Sequence, residues 1–245
     1  MPSLYHGSEA IVAAYIGSVA LLQIYNGAEL VADFSEPSGL ERIELLGPIE
    51  NSGVPTTSSS LAITDVGANR KLIGTMEFEG GGSRTLDAFS FNGVAFNEIL
   101  VHDASTNGAG MGYLDDDELP SAGNYTLLST LSGNGAQIVA ALHYRGMAQG
   151  APLDSDEQVG SSTPSLSLTT TVGGVVVTLL GNTGAQTFTW ANSEDELVSE
   201  DGPAAGQRMY VAVIEDVAGT SQTTGGTWSD SNGVERIIAA SFSEA

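Results

Sequence analysis

The stretch Leu86-Asp87-Ala88-Phe89-Ser90-Phe91-Asn92-Gly93-Val94-Ala95-Phe96-Asn97-Glu98-Ile99-Leu100-Val101-His102 decides the fold class. Aromatic, β-branched and aliphatic residues flank Asn92-Gly93, a dipeptide that accepts the positive φ of a two-residue hairpin turn. The segment predicts strands at Leu86–Phe91 and Val94–His102. Outward from this hairpin, strand signals recur at Ser60–Thr64, Lys71–Glu77, Met111–Leu114, Gly123–Leu131, Gln137–Arg145, Leu166–Thr171, Val175–Leu180, Phe188–Trp190, Arg208–Glu215, Gly226–Ser229 and Glu235–Phe242. Turn-forming residues separate them at Gly80-Gly81-Gly82, Asn107-Gly108, Ser132-Gly133-Asn134-Gly135, Gly173-Gly174, Gly181-Asn182 and Asn232-Gly233. The runs Val139-Ala140-Ala141-Leu142 and Val175-Val176-Val177 are continuously apolar, as strands covered on both faces are. No segment reads as a helix of ten or more residues. Ser193 to Glu200, with Glu194, Asp195 and Glu196, reads as a solvated acidic loop.

The N-terminus carries a repeat of period ten. Leu4-Tyr5-His6-Gly7-Ser8-Glu9-Ala10-Ile11-Val12-Ala13 aligns with Ala14-Tyr15-Ile16-Gly17-Ser18-Val19-Ala20-Leu21-Leu22-Gln23, and both align with Ile24-Tyr25-Asn26-Gly27-Ala28-Glu29-Leu30-Val31-Ala32-Asp33. Tyr5, Tyr15 and Tyr25 keep register, as do Gly7, Gly17 and Gly27. Each unit reads as a short strand and a tight turn. Three such units hold too few residues to bury a core alone, so these six residues are the candidate assembly positions. Residues 40–46 fit either one helical turn or a strand. Residues 47–60, with two prolines, two glycines and a Ser/Thr run, read as a linker. The expected organisation is a repetitive β attachment or stem segment over 1–46, a linker over 47–60 and a β-sandwich domain over 61–245. The expected fold class is all-β: a short N-terminal β-repeat stem plus one jelly-roll-like antiparallel β-sandwich.

Composition narrows the function classes. Apolar residues make up 41 % of the 245, enough for a core, and glycine accounts for 31. Seven basic residues face 30 acidic ones, a net charge of −23. Such a polyanion cannot displace counterions from nucleic acid and is repelled by anionic membrane surfaces, so neither nucleic-acid binding nor membrane insertion is expected. No run reaches the roughly 18 apolar residues of a membrane helix. Cysteine is absent, which excludes disulfides, thiolate metal sites and a thiol nucleophile. The start Met1-Pro2-Ser3 shows no basic region before an apolar run, so no secretory signal is expected.

Motifs for catalysis are missing: no nucleophile elbow, zinc-protease helix, phosphate loop or dinucleotide fingerprint. His6 lies in the repeat, and His102 and His143 end apolar runs, where packing or capping is the ordinary role. Lys71 is the only side chain that could act as a catalytic amine. Paired carboxylates could serve a glycosidase, but thirty acids supply chance pairs. The expectation is a non-enzymatic protein without a cofactor. The densest acidic cluster, Asp115-Asp116-Asp117-Glu118, is the metal candidate: hard oxygen ligands that could hold calcium, or else a solvated loop, since the full spaced calcium-loop signature is missing. Trp190 and Trp228 read either as a sugar-stacking pair or as core residues.

The Tyr-Ile-Gly-Ser and Tyr-Asn-Gly-Ala units resemble the short Tyr-x-Gly-Ser repeats of phage minor tail and fibre proteins, over roughly residues 4 to 33. In outline, Gly67-Ala68-Asn69-Arg70, Tyr144-Arg145-Gly146-Met147-Ala148-Gln149 and Val234-Glu235-Arg236-Ile237-Ile238-Ala239-Ala240-Ser241-Phe242 resemble a β-sandwich domain of phage virion proteins and some bacterial surface proteins, over about 61 to 243. The resemblance implies a virion structural protein, a tail-fibre or surface-spike subunit for host attachment and receptor binding, assembled in the host cytoplasm. It implies a homotrimer with other virion proteins as partners and a host surface glycan or protein as receptor. A carbohydrate-binding module of a bacterial surface protein is the alternative, and a polysaccharide-degrading enzyme the third reading.

Overall fold

The computed structural model describes residues 4–6, 9–16, 19–26, 29–33, 39–64, 67–79, 84–102, 107–182, 186–204, 207–230 and 235–245. They fall into two compact units, Met1–Ser38 and Gly39–Ala245.

In the first unit, strands β1 (Leu4–His6), β2 (Glu9–Ile16), β3 (Val19–Asn26) and β4 (Glu29–Asp33) form an antiparallel sheet in chain order. Pairing of His6 with Glu9, Ile16 with Val19 and Asn26 with Glu29 leaves two residues between successive strands. The repeat period is therefore one strand of the meander plus the two residues that follow it. Gly7, Gly17 and Gly27 lie outside the described residues. Tyr5, Ala10, Tyr25 and Leu30 stand in one cross-strand row. Tyr15, paired with Ala20, is five residues from Ala10 along β2 and so falls in a row of opposite parity.

The second unit is an all-β, antiparallel, sandwich-like fold, the class expected, built from three sheets. Its seven-stranded sheet contains β5 (Glu41–Ile63), β6 (Lys71–Glu79), β7 (Leu86–Phe91), β8 (Val94–Ala95), β9 (Asn97–His102), β10 (Asn107–Asp115) and β11 (Gly123–Arg145), with a short 3-10 turn at Asp116–Glu118. A five-stranded sheet follows the order β12 (Asp154–Val159), β19 (Arg236–Phe242), β14 (Val175–Asn182), β17 (Arg208–Ile214), β16 (Asp195–Asp201). A three-stranded sheet has β18 (Ser221–Trp228) between β13 (Ser165–Thr169) and β15 (Phe188–Trp190).

Three apolar clusters separate these layers, and strand parity assigns residues to them. On β6, Leu72, Met76 and Phe78 enter a cluster enclosed by the seven-stranded sheet itself, with Phe91, Leu127, Val139 and Ala141. Ile73 faces the other way, toward the five-stranded sheet, with Ile138, Ala140 and Leu142 of β11. On β14, Val175, Val177 and Leu179 join that middle cluster, whereas Val176 and Leu180 pack against Leu166, Phe188 and Trp228 of the three-stranded sheet. The strands with unbroken apolar runs are thus the ones buried on both faces.

The long strand β11 explains how one sheet encloses its own core. It pairs with β5 along its length, with β7 through Leu127–Leu131 and with β6 through Gln137–Tyr144. Register shifts between Thr130 and Gln137 separate these halves, and bulges there bend a strand from one wall into another. Ser132-Gly133-Asn134-Gly135, expected as a turn, is this bulged middle of β11.

The linker expected over 47–60 is also strand. Its Ser and Thr residues pair with β11 as an edge strand, where Pro48 costs no ladder bond. Gly47, at φ +101, and Pro48 sit in a bulge opposite Ala140. Residues 40–46, left open between helix and strand, mostly belong to the same strand, and the compact unit begins at Gly39, ahead of the expected boundary at 61. The acidic loop expected over 193–200 is mostly β16, an edge strand whose charges face water while Val198 is buried. The polar edge strand β12 carried no apolar alternation to reveal it. Asn107-Gly108 and Gly181-Asn182, expected as turns, lie within β10 and β14. Asn92-Gly93 is the predicted hairpin turn, with φ +51 and +78.

Candidate functional site

Strand β6 begins where β10 ends, which makes Lys71 and Asp115 cross-strand partners. Such partners project to the same face with Cβ atoms about 5 Å apart. The Lys71 side chain is entirely buried, and its Nζ donates to Asp115 Oδ1 at 2.5 Å and to the Gly150 carbonyl at 2.7 Å. The Gly150 N–H donates back to Asp115 Oδ2 at 2.8 Å. Aromatic rings close the surroundings: the Tyr113 centroid lies 4.5 Å from Nζ and that of Phe242 5.7 Å. Burial holds the Lys71 pKa below the ordinary lysine range despite the opposing pull of Asp115. Burial, with Asp115 and Glu118 nearby, raises that of Tyr113.

The rest of the acidic cluster is engaged separately. Asp116 accepts from Arg70 Nε at 2.6 Å and from the Asn69 N–H at 3.0 Å. Arg70 also donates to the Pro120 carbonyl at 2.7 Å. Glu118 Oε2 accepts from the Asp115 N–H and from Asn97 Nδ2, each at 2.9 Å. Asp117 is exposed. Of the four acidic residues read as a calcium candidate or a solvated loop, Asp115 is thus paired with Lys71 and Asp116 with Arg70, the residue ahead of β6. Among the described residues no group of three or more His, Asp or Glu side chains is placed to hold a metal ion. A cleft of about 570 Å³ opens beside them, lined by Asn69, Asp115, Asp116, Asp117 and Gln149.

A second concavity, about 210 Å³, lies on the seven-stranded sheet. Phe89 and Phe96 stack across its wall with centroids 4.4 Å apart. Asp87 and Glu98, both exposed, stand among its lining residues. Gly74 makes room for the two rings, since a Cβ there would come within 2.6 Å of Phe89 and 2.8 Å of Phe96. Phe89 belongs to the core at 8 % exposure, so the half-buried Phe96 is the ring that stands beside the two exposed carboxylates. Sequence reading did not single it out, because Phe89 and Phe96 belong to different strands and look like any alternating core residues.

The remaining candidates have structural places. His143 is buried, with Nδ1 2.9 Å from Glu44 Oε1, and its Nε2 has no hydrogen-bond partner among the described residues. His102 lies 3.4 Å from Glu157 and links β9 to β12. The side chain of His6 is outside the described residues. Trp228 is a core residue, edge-on to Phe188 at 4.8 Å, the second of the two readings given for it. Trp190 is half-buried and donates Nε1 to Glu196 at 2.8 Å. Compared with known protein families, curated proteins and solved structures, this chain matches none.

Proposed function

We propose that this chain is a non-catalytic structural subunit of a virion, of the tail-fibre or surface-spike kind, which assembles through its N-terminal repeat and presents its sandwich for attachment to a host surface. The observation that carries this reading is the four-stranded repeat sheet. Its sequence is apolar in rows of both parities: Ala10, Val12, Ala14 and Ile16 alternate along β2 with Ile11, Ala13 and Tyr15. A single sheet cannot cover two apolar faces by itself, and among the described residues β1 and β4 are its edge strands, where further pairing can occur. Closed self-association of three chains, or docking to another virion protein, would cover both. Light scattering on the full chain tests the assembly: a homo-oligomer supports it, and a monomer at micromolar concentration that also fails to bind virion proteins would refute it.

A carbohydrate-binding module is the second reading, favoured by the Phe89–Phe96 groove with Asp87 and Glu98 among its lining residues. Aromatic surface stacks on the C–H face of a sugar while carboxylates accept from its hydroxyls. Carboxylates and a net charge of −23 disfavour anionic sugars. A glycan-binding screen separates the readings, with Phe96→Ala as the control that removes half of the stacked pair.

A further inference from the structure

We propose that Lys71 and Asp115 join in an intramolecular amide bond, a covalent staple between β6 and β10. Lys71 is the only lysine in the chain, and it is spent on a wholly buried position whose Nζ touches a carboxylate oxygen at 2.5 Å. The two groups are cross-strand partners, so the sheet holds them in reacting position without further loss of freedom, the condition under which intramolecular reactions gain most.

The surroundings fit the product as well as the reactants. Gly150 offers its carbonyl to Nζ at 2.7 Å and its N–H to Asp115 Oδ2 at 2.8 Å. An amide formed here would donate its N–H to the first and accept at its C=O from the second, like one backbone amide pairing with another. The Gly150 N–H would also stabilise negative charge developing on Oδ2 during attack. Condensation removes an ion pair from a site where burial disfavours the ammonium.

The step is balanced. A proton passes from the ammonium to Oδ1 across their contact, giving a neutral amine and a carboxylic acid. The nitrogen lone pair attacks Cγ, and the Nζ–Cγ bond forms. The Cγ–Oδ1 bond then breaks, and Oδ1 departs as water with its own proton and one from nitrogen. No oxidant or co-reactant is needed. The water can leave through the adjoining cleft, which Asp115 lines.

Intact-mass measurement of the denatured full chain tests this. The expected mass is below the sequence mass by one water, about 18 Da. An endoproteinase that cuts after lysine has a single site in the chain, and it should leave the stapled chain uncut. Lys71→Arg and Asp115→Ala should each have the full mass of their own sequence, and Asp115→Ala should be cut once. A wild-type chain of full mass that is cut after Lys71 overturns the proposal. So does a loss of water that persists in Lys71→Arg, which would place the dehydration elsewhere. Both readings on the denatured wild-type chain decide the matter even if a variant fails to fold.

Discussion

Lys71 Nζ lies 2.5 Å from Asp115 Oδ1, and the lysine of this pair has no exposed side-chain surface while the aspartate keeps 16 % of its own. This asymmetry orders the effects of removing either partner. Asp115→Ala strands a charged or amine group in the interior, at a cost of about 3–5 kcal/mol. Lys71→Met keeps the apolar stem and leaves a carboxylate that can still reach water. In chemical denaturation, Asp115→Ala should lose more stability than Lys71→Met. The reverse order would mean that the aspartate is the more deeply desolvated partner.

Glu50 on β5 and Glu200 on β16 form a carboxyl pair between two sheet edges. Partial desolvation at this exposed edge, followed by the hydrogen bond and the charge of Glu200, raises the pKa of Glu50 above its ordinary value. A carboxyl whose folded pKa is raised stabilises the fold below its unfolded pKa, and this contribution is lost as pH rises through the folded value. Glu50→Gln should therefore gain melting temperature relative to wild type at about pH 7 and lose that gain near pH 4, below the ordinary glutamate value. An equal effect at both pH values would show that the two carboxyls do not interact.

Strand β18 passes so close to β15 that Gly226 has no room for a side chain. A Cβ there would stand 2.1 Å from the Thr189 carbonyl oxygen, a backbone atom that cannot swing away. Gly226→Ala should cost about 1–3 kcal/mol by overpacking. Gly133, in the bulged part of β11, has nothing within 4 Å of the same position, and Gly133→Ala should stay within about 0.5 kcal/mol. Thermal melts of the two variants, measured side by side, check the contrast.

The three core clusters lie wholly between Leu40 and Phe242. A chain of residues 39–245 should accordingly fold with the cooperative unfolding transition of the full chain. If the N-terminal sheet drives assembly, the same truncation should sediment as a monomer. A truncated chain that binds exposed-apolar dyes or fails to unfold cooperatively would show that residues 1–38 complete the core.

Sequence by itself determined the all-β class, the Asn92-Gly93 hairpin, the repeat period and the strands of the doubly buried interior, because each rests on local chemistry: turn conformation, side-chain alternation, or an unbroken apolar run. It did not determine β5 or the middle of β11. Ser/Thr-rich and Gly-rich segments carry the same local signals whether they hang in solvent or pair along an edge, and only a partner strand distant in the chain decides between them. The candidate site divides the same way. The lone lysine and the acidic run Asp115–Glu118 are visible in the sequence, and that run read either as a calcium candidate or as a solvated loop. Only the tertiary structure carries Asp115, 44 residues from Lys71, and Gly150, 79 residues away, to the same nitrogen atom. Long-range strand pairing brings them there, and no local propensity encodes it.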